Sequence, residues 1–195
     1  IDGYDCGIRY MDEHIGRLLG VLEEAGVLED TAIIVTADHG ENLGELGCYG
    51  EHGTSDYITH RIPMIIHWPG CPEGQVADGL HYNLDLAPTL AEMFSAPGRP
   101  AWQGESYAEA LRSGADRGRD HLVLSQVCHG AMRSVRFGPW HYIRVIHDFY
   151  HLYPRKMLFD IVQDPHETTN LADARPDICS HAARLMLTWH EDMMM

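Results

Sequence analysis

The sequence predicts an α/β layer followed by a small antiparallel sheet and a closing helix. Three observations predict it. Apolar residues at three-four spacing over residues 8–22 lead into a β-branched run at 31–37, a second apolar run follows at 62–66, and beyond residue 113 the pattern breaks into short runs separated by turn residues.

Each element has its own local reason. Ile8, Met11, Ile15, Leu18, Leu19 and Leu22 form one stripe of a helix whose other face carries Asp12, Glu13, Arg17, Glu23 and Glu24, and Gly26 stands where that helix ends. Residues 31–37 are β-branched and apolar on both faces, which predicts a buried, parallel strand. The run 61–68 predicts a second buried strand, stopped by Pro69-Gly70. Residues 85–94 predict a helix with Asp85 as its cap and Pro88 in its first turn. A Pro/Gly-rich stretch at 96–104 leads to a short helix at 107–111, and the polar segment 113–120 marks a boundary, dividing the chain into residues 1–114 and 115–195. Runs at 121–126, 131–137, 140–146 and 156–161 predict four antiparallel strands, the middle two joined by a Gly138-Pro139 hairpin, and residues 176–189 a final amphipathic helix.

Composition narrows the function. Acidic residues number 29 against 14 Lys and Arg, a formal charge of -15, which excludes the cationic footprint that nucleic-acid binding needs. The mean hydropathy is -0.25, and Pro, Gly, His or a charge interrupts every apolar run, so no membrane span is expected. Five scattered cysteines, an odd number without a CxxC pair, exclude a disulfide-stapled scaffold and lean toward a reducing compartment such as the cytoplasm. The opening residues carry no initiator Met or signal peptide, so the chain reads as a piece of a longer protein whose compartment stays open. Lys156 is the only lysine, so any cationic group in a site is Arg, His or a bound metal.

The candidate chemistry follows residue 37. The strand stops at Asp38-His39-Gly40, and no further regular pattern appears until Ile62, a gap longer than the roughly 12–15 residues at which structureless loops in compact domains become uncommon unless functional. Five glycines and the donors Asp38, His39, Glu41, Glu45, Glu51 and His52 fill it. Ligands in open α/β sheets bind beyond the carboxyl ends of strands, and Asp38 with His39 supplies an oxygen and a nitrogen donor there. Two residues cannot complete a coordination sphere. His14, His67, His141 and His190 fall inside helix or strand patterns and read as packing or surface residues.

The run Thr31-Ala-Ile-Ile-Val-Thr-Ala-Asp38-His39-Gly40-Glu41-Asn42-Leu43-Gly44-Glu45, then Gly50-Glu51-His52-Gly53-Thr54-Ser55 and Arg61-Ile62-Pro63-Met64-Ile65-Ile66, resembles the C-terminal half of the sulfatase family in the alkaline phosphatase superfamily. Asp85-Leu86-Ala87-Pro88-Thr89, Met132-Arg133-Ser134-Val135-Arg136 and Asp164-Pro165-His166-Glu167 extend the resemblance over nearly the whole chain. It implies the C-terminal part of an alkaline-phosphatase-like α/β sandwich plus a small antiparallel subdomain.

The resemblance further implies that Asp38 and His39 ligate one divalent metal ion, calcium first, with manganese or zinc also compatible. It implies that His52 is the catalytic residue contacting the sulfate or phosphate group of a small-molecule ester. The family's formylglycine nucleophile has no counterpart here, because Cys71 is followed by Pro72-Glu73 and no Cys-x-Pro-x-Arg occurs. The chain is therefore expected to be inactive alone, with the missing N-terminal half of its parent as the partner that carries formylglycine. Sulfuric ester hydrolysis is the leading expectation. Phosphonate monoester or phosphodiester hydrolysis, a non-catalytic binding module and a histidine-rich metal buffer remain as alternatives, and a homo-oligomer is left open.

Overall fold

The computed structural model describes residues 2–99, 101–128, 130–148 and 150–195. Helix α1 (Asp2–Glu24) realises the first amphipathic run, and Gly26 at φ 69° closes it. Its apolar stripe remains open, with Ile8, Met11, Leu18 and Val21 between 48% and 68% exposed.

Strand β1 (Ile33–Thr36) pairs with β4 (Met64–His67) from Ile33 opposite His67 to Thr36 opposite Met64, and the pairing is antiparallel. The parallel arrangement expected for residues 31–37 is thus corrected, as is their full burial, since both strands are part-exposed. The reason lies in the connection. Parallel pairing needs a crossover, usually a helix of several turns. Residues 37–63 instead form a hairpin of β2 (Asn42–Leu43) and β3 (Tyr49–Glu51) and a single turn, α2 (Tyr57–His60), which reverse the chain beside its start. The segment read as loop therefore has regular structure, in pieces too short for a periodicity to register.

Helix α3 (Leu86–Met93) follows a 3-10 turn at Asn83–Asp85, and α4 (Ala108–Ser113) ends at Gly114 with φ 73°. Asp85 occupies the N-cap position of α3 as expected, but its side chain serves other partners. It makes no capping bond to α3; its fully buried carboxylate accepts from the Tyr82 and Glu105 amides, both at 2.8 Å, and pairs with both terminal nitrogens of Arg119 at 2.5 and 2.8 Å. A bidentate guanidinium supplies what a lone buried carboxylate could not obtain from α3 amides alone.

The four expected strands are β5 (His121–Gln126), β6 (Ala131–Phe137), β7 (Trp140–His147) and β8 (Lys156–Asp160), an antiparallel sheet in sequence order with the predicted Gly138-Pro139 turn. Helix α5 (Pro176–Met193) is the closing helix. Strand side chains alternate between faces, and here both faces are covered. Val123, Val135, Phe137, Tyr142 and Leu158 pack with Ala172, Cys179 and Ala182 beneath α5. Met132, Ile143, Val145, Met157, Phe159 and Ile161 pack against Leu46 and Tyr57 of the 37–63 connection, together with Tyr153. The segment that carries Asp38, His39 and His52 is therefore seated on the far face of the sheet from α5.

Candidate functional site

Asp38 and His39 lie just past the end of β1, and the structure brings them together. Asp38 Oδ2 is 3.8 Å from His39 Nε2, with the Asp38 side chain 89% exposed and the His39 side chain 40% exposed. The His39 amide donates to Asp38 Oδ1 at 3.0 Å, and this bond foremost holds the Asp38 carboxyl below the usual carboxylate range. His39 Nδ1 lies 2.8 Å from the Gly40 carbonyl. A carbonyl can only accept, so Nδ1 carries a proton, and in the neutral ring the lone pair then sits on Nε2, the nitrogen facing Asp38. A backbone carbonyl behind one ring nitrogen is the usual way a ligating histidine is oriented.

His52 joins them from beyond β3. Its ring stacks on His39 at 3.8 Å between centroids and 27° between planes, and its Nδ1 lies 3.2 Å from Glu41 Oε2. A carboxylate here accepts, which makes Nδ1 the donor. His39, Glu41 and His52 together offer donor atoms all within 4.8 Å of one another. Asp38 thus meets His39 and His39 meets His52, but the set of donors within mutual reach leaves Asp38 out and takes in Glu41, seen in the sequence only as one donor in the loop and here the partner of His52 Nδ1.

Their positions are fixed from below by a polar knot. Asp56 is fully buried and accepts from Asn42 Nδ2 at 3.0 Å, the Thr59 amide at 3.0 Å, Thr54 Oγ1 at 2.6 Å and Thr59 Oγ1 at 2.7 Å. Four donors replace the water it has lost. Gly40 is locked onto the same unit: its amide donates to the Thr59 carbonyl at 2.8 Å, and a Cβ there would collide with the Ile58 carbonyl oxygen. Glycine is the residue that close approach allows.

Three contacts tie the knot to the sheet. Ser55 Oγ meets Ser134 Oγ of β6 at 2.9 Å; Glu167 accepts from the Tyr57 amide at 3.0 Å while its other oxygen lies 2.5 Å from buried His141 Nδ1; and Gln126 Nε2 donates to the His52 carbonyl at 2.6 Å. None of these partners was legible as a site residue. Gln126 is 74 positions from His52, and nothing local marks it.

Residues 1–96 match the family model described as Sulfatase, and residues 50–184 match the one described as N-sulphoglucosamine sulphohydrolase, C-terminal. The chain belongs to the sulfatase family. Among curated relatives of this chain, a choline-sulfatase of Rhizobium meliloti (strain 1021) is 32% identical over 179 residues, which is 87% of this chain and 32% of that protein. A steryl-sulfatase of Mus musculus is 30% identical over 153 residues, covering 71% of this chain and 24% of the relative. The chain thus spans about a third or less of the length of these relatives. Its fold matches a structure solved in complex with its substrate D-glucosamine-2-N,6-O-disulfate at TM-score 0.81 and 23% identity, over 94% of this chain and 39% of that one. A phosphonate monoester hydrolase from Silicibacter pomeroyi matches at TM-score 0.76 and 28% identity, over 94% and 38%. The α/β fold of the alkaline phosphatase superfamily expected from the resemblance is therefore the fold observed. Among the described residues no helix is long and apolar enough to cross a membrane.

Proposed function

We propose that this chain contributes the C-terminal part of the active site of a sulfuric ester hydrolase, in which Asp38 and His39 hold a divalent cation and His52 binds the ester's anionic group. The observation that carries the reading is the Asp38–His39 pair: Oδ2 and Nε2 stand 3.8 Å apart, with His39 Nδ1 engaged by the Gly40 carbonyl. Donors bound to one ion at about 2.0–2.4 Å lie roughly 3–4 Å apart, so the pair fits without rearrangement. Its oxygen serves calcium, manganese or zinc, the His39 nitrogen favours the latter two, and Glu41 stands within reach of His39 to add an oxygen. When bound, such an ion withdraws charge from a non-bridging ester oxygen.

The chain's own residues do the rest. Asp38, kept ionised by the His39 amide, balances the cation's charge. Glu41 holds the His52 ring through Nδ1–H, and in the imidazolium form the ring has a second N–H at Nε2 that donates a hydrogen bond to a sulfate oxygen or a proton to the leaving oxygen. Family membership supports a sulfate ester as substrate, with a formylglycine nucleophile contributed by sequence outside this chain.

The test is ester hydrolysis by the full-length protein. Asp38→Asn should cut turnover of a sulfate monoester by about a hundredfold or more, and removal of divalent ions by a chelator should do the same. Turnover unchanged in Asp38→Asn would end the assignment. A phosphonate monoester assayed in parallel decides between the two chemistries represented among the similar structures.

A further inference from the structure

A second donor cluster lies where the β2–β3 hairpin meets the loop between β7 and β8. Cys48 Sγ, a Glu51 carboxylate oxygen and a His151 ring nitrogen all lie within 4.8 Å of one another, with His151 Nε2 4.0 Å from Glu51 Oε2. Cys48 is 2% exposed, whereas the Glu51 and His151 side chains keep partial access to solvent. We propose that Cys48, Glu51 and His151 form a structural metal site that takes a borderline-soft divalent cation of the zinc class and pins the β7–β8 loop to the segment bearing His52. The inference is independent of ester hydrolysis.

The donor set selects the ion. A thiolate, an imidazole and a carboxylate suit zinc, while calcium prefers oxygen alone. Bonds of about 2.0–2.3 Å at tetrahedral angles place donors roughly 3.3–3.8 Å apart, so an ion would need to draw the cluster in by at most about 1.5 Å. Glu51 and His151 can supply that movement through side-chain rotation, leaving the backbone in place. The fourth position would be left for water.

The surroundings hold the donors ready. The His151 ring lies between two aromatic rings, 4.2 Å from Tyr150 and 5.0 Å from Tyr153 by centroid, and its amide donates to the Asp148 carbonyl at 3.1 Å. Tyr153 donates to the Leu46 carbonyl at 2.9 Å and lies 3.2 Å from Cys48 Sγ, so the two loops already touch at the cluster. Gly47 and Gly50, at φ 75° and 67°, shape the turn that delivers Cys48 and Glu51. Burial, followed by the negative charges of Glu51 and Asp56, pushes the Cys48 thiol up. The same negative charge favours a cation, whose arrival releases the thiol proton to solvent.

The experiment is a cobalt(II) titration of the metal-stripped full-length protein, with zinc competition. The expected result is a thiolate-to-cobalt charge-transfer band that zinc abolishes, that disappears in Cys48→Ser, and that persists in Asp38→Asn. Because Cys48 is buried, Glu51→Gln and His151→Ala are measured as well. Both should retain the native far-ultraviolet circular dichroism while losing about tenfold or more in cobalt affinity. Absence of the band in the parent protein overturns the proposal, as does a band undiminished in Cys48→Ser, or unaltered affinity in both part-exposed variants.

Discussion

Gln126 at the end of β5 donates from Nε2 to the backbone carbonyl of His52 across 2.6 Å, so the antiparallel sheet directly holds the residue read as the substrate contact. The sheet is thereby more than a support for α5. Its other face carries the site segment, and disturbances on that face should reach the chemistry.

Gln126→Ala removes this bond and the one that Gln126 Oε1 accepts from the Val127 amide at 2.9 Å, both at the end of edge strand β5. A stability loss of about 1 kcal/mol or less is expected in urea denaturation of the full-length protein. Turnover should fall by several-fold as His52 loses its fixed height. Unaltered turnover with native stability would show that Glu41 and the stacked His39 suffice to hold it.

Asp56→Ala strips the acceptor from Asn42 Nδ2 and the Thr59 amide, both buried, whereas the Thr54 and Thr59 hydroxyls keep Asn42 Oδ1 at 3.1 Å. Unsatisfied buried donors cost about 1–3 kcal/mol each, so a loss of at least roughly 2 kcal/mol is expected as a lower urea midpoint. A loss below about 1 kcal/mol would mean that water enters and replaces the carboxylate.

The two faces of the sheet should separate stability from activity. Ile143 faces the site segment and Leu158 faces α5, and both are fully buried. Truncation of either to Ala should cost about 2–5 kcal/mol. At a temperature where both variants remain folded, only Ile143→Ala is expected to lose turnover beyond its loss of folded protein. Equal turnover per folded molecule would detach the site from the sheet.

His60 gives the fold a pH dependence. Burial, and next the nearby His141, push its pKa down to about 4 from an ordinary 6.5, and Ser55 Oγ lies 2.9 Å from its Nε2. The unfolded chain therefore binds more protons than the folded one between these values, so stability rises with pH. The contribution is fully present above about pH 6.5 and is lost as pH falls toward 4, on the order of 3 kcal/mol. His60→Gln should flatten denaturation midpoints across that window; an unchanged slope would exclude His60 as the cause.

Local sequence determined much of this protein. Three-four spacing gave α1 and α5, alternation with turn residues gave β5 to β8, and a strand-end Asp-His pair ahead of a glycine-rich stretch located the candidate site, because each of these signals is written in residues a few positions apart. Tertiary structure decided what depends on distant partners. It made β4 antiparallel to β1, since the intervening hairpin and single helical turn are too short to show a period. It left Asp85 at the N-cap of α3 but gave its carboxylate to Arg119, and it brought Gln126, Ser134 and Glu167 under the site. Hydrogen bonds and packing contacts between such distant segments form only when the chain closes on itself, and their partners carry no mark of it in the sequence.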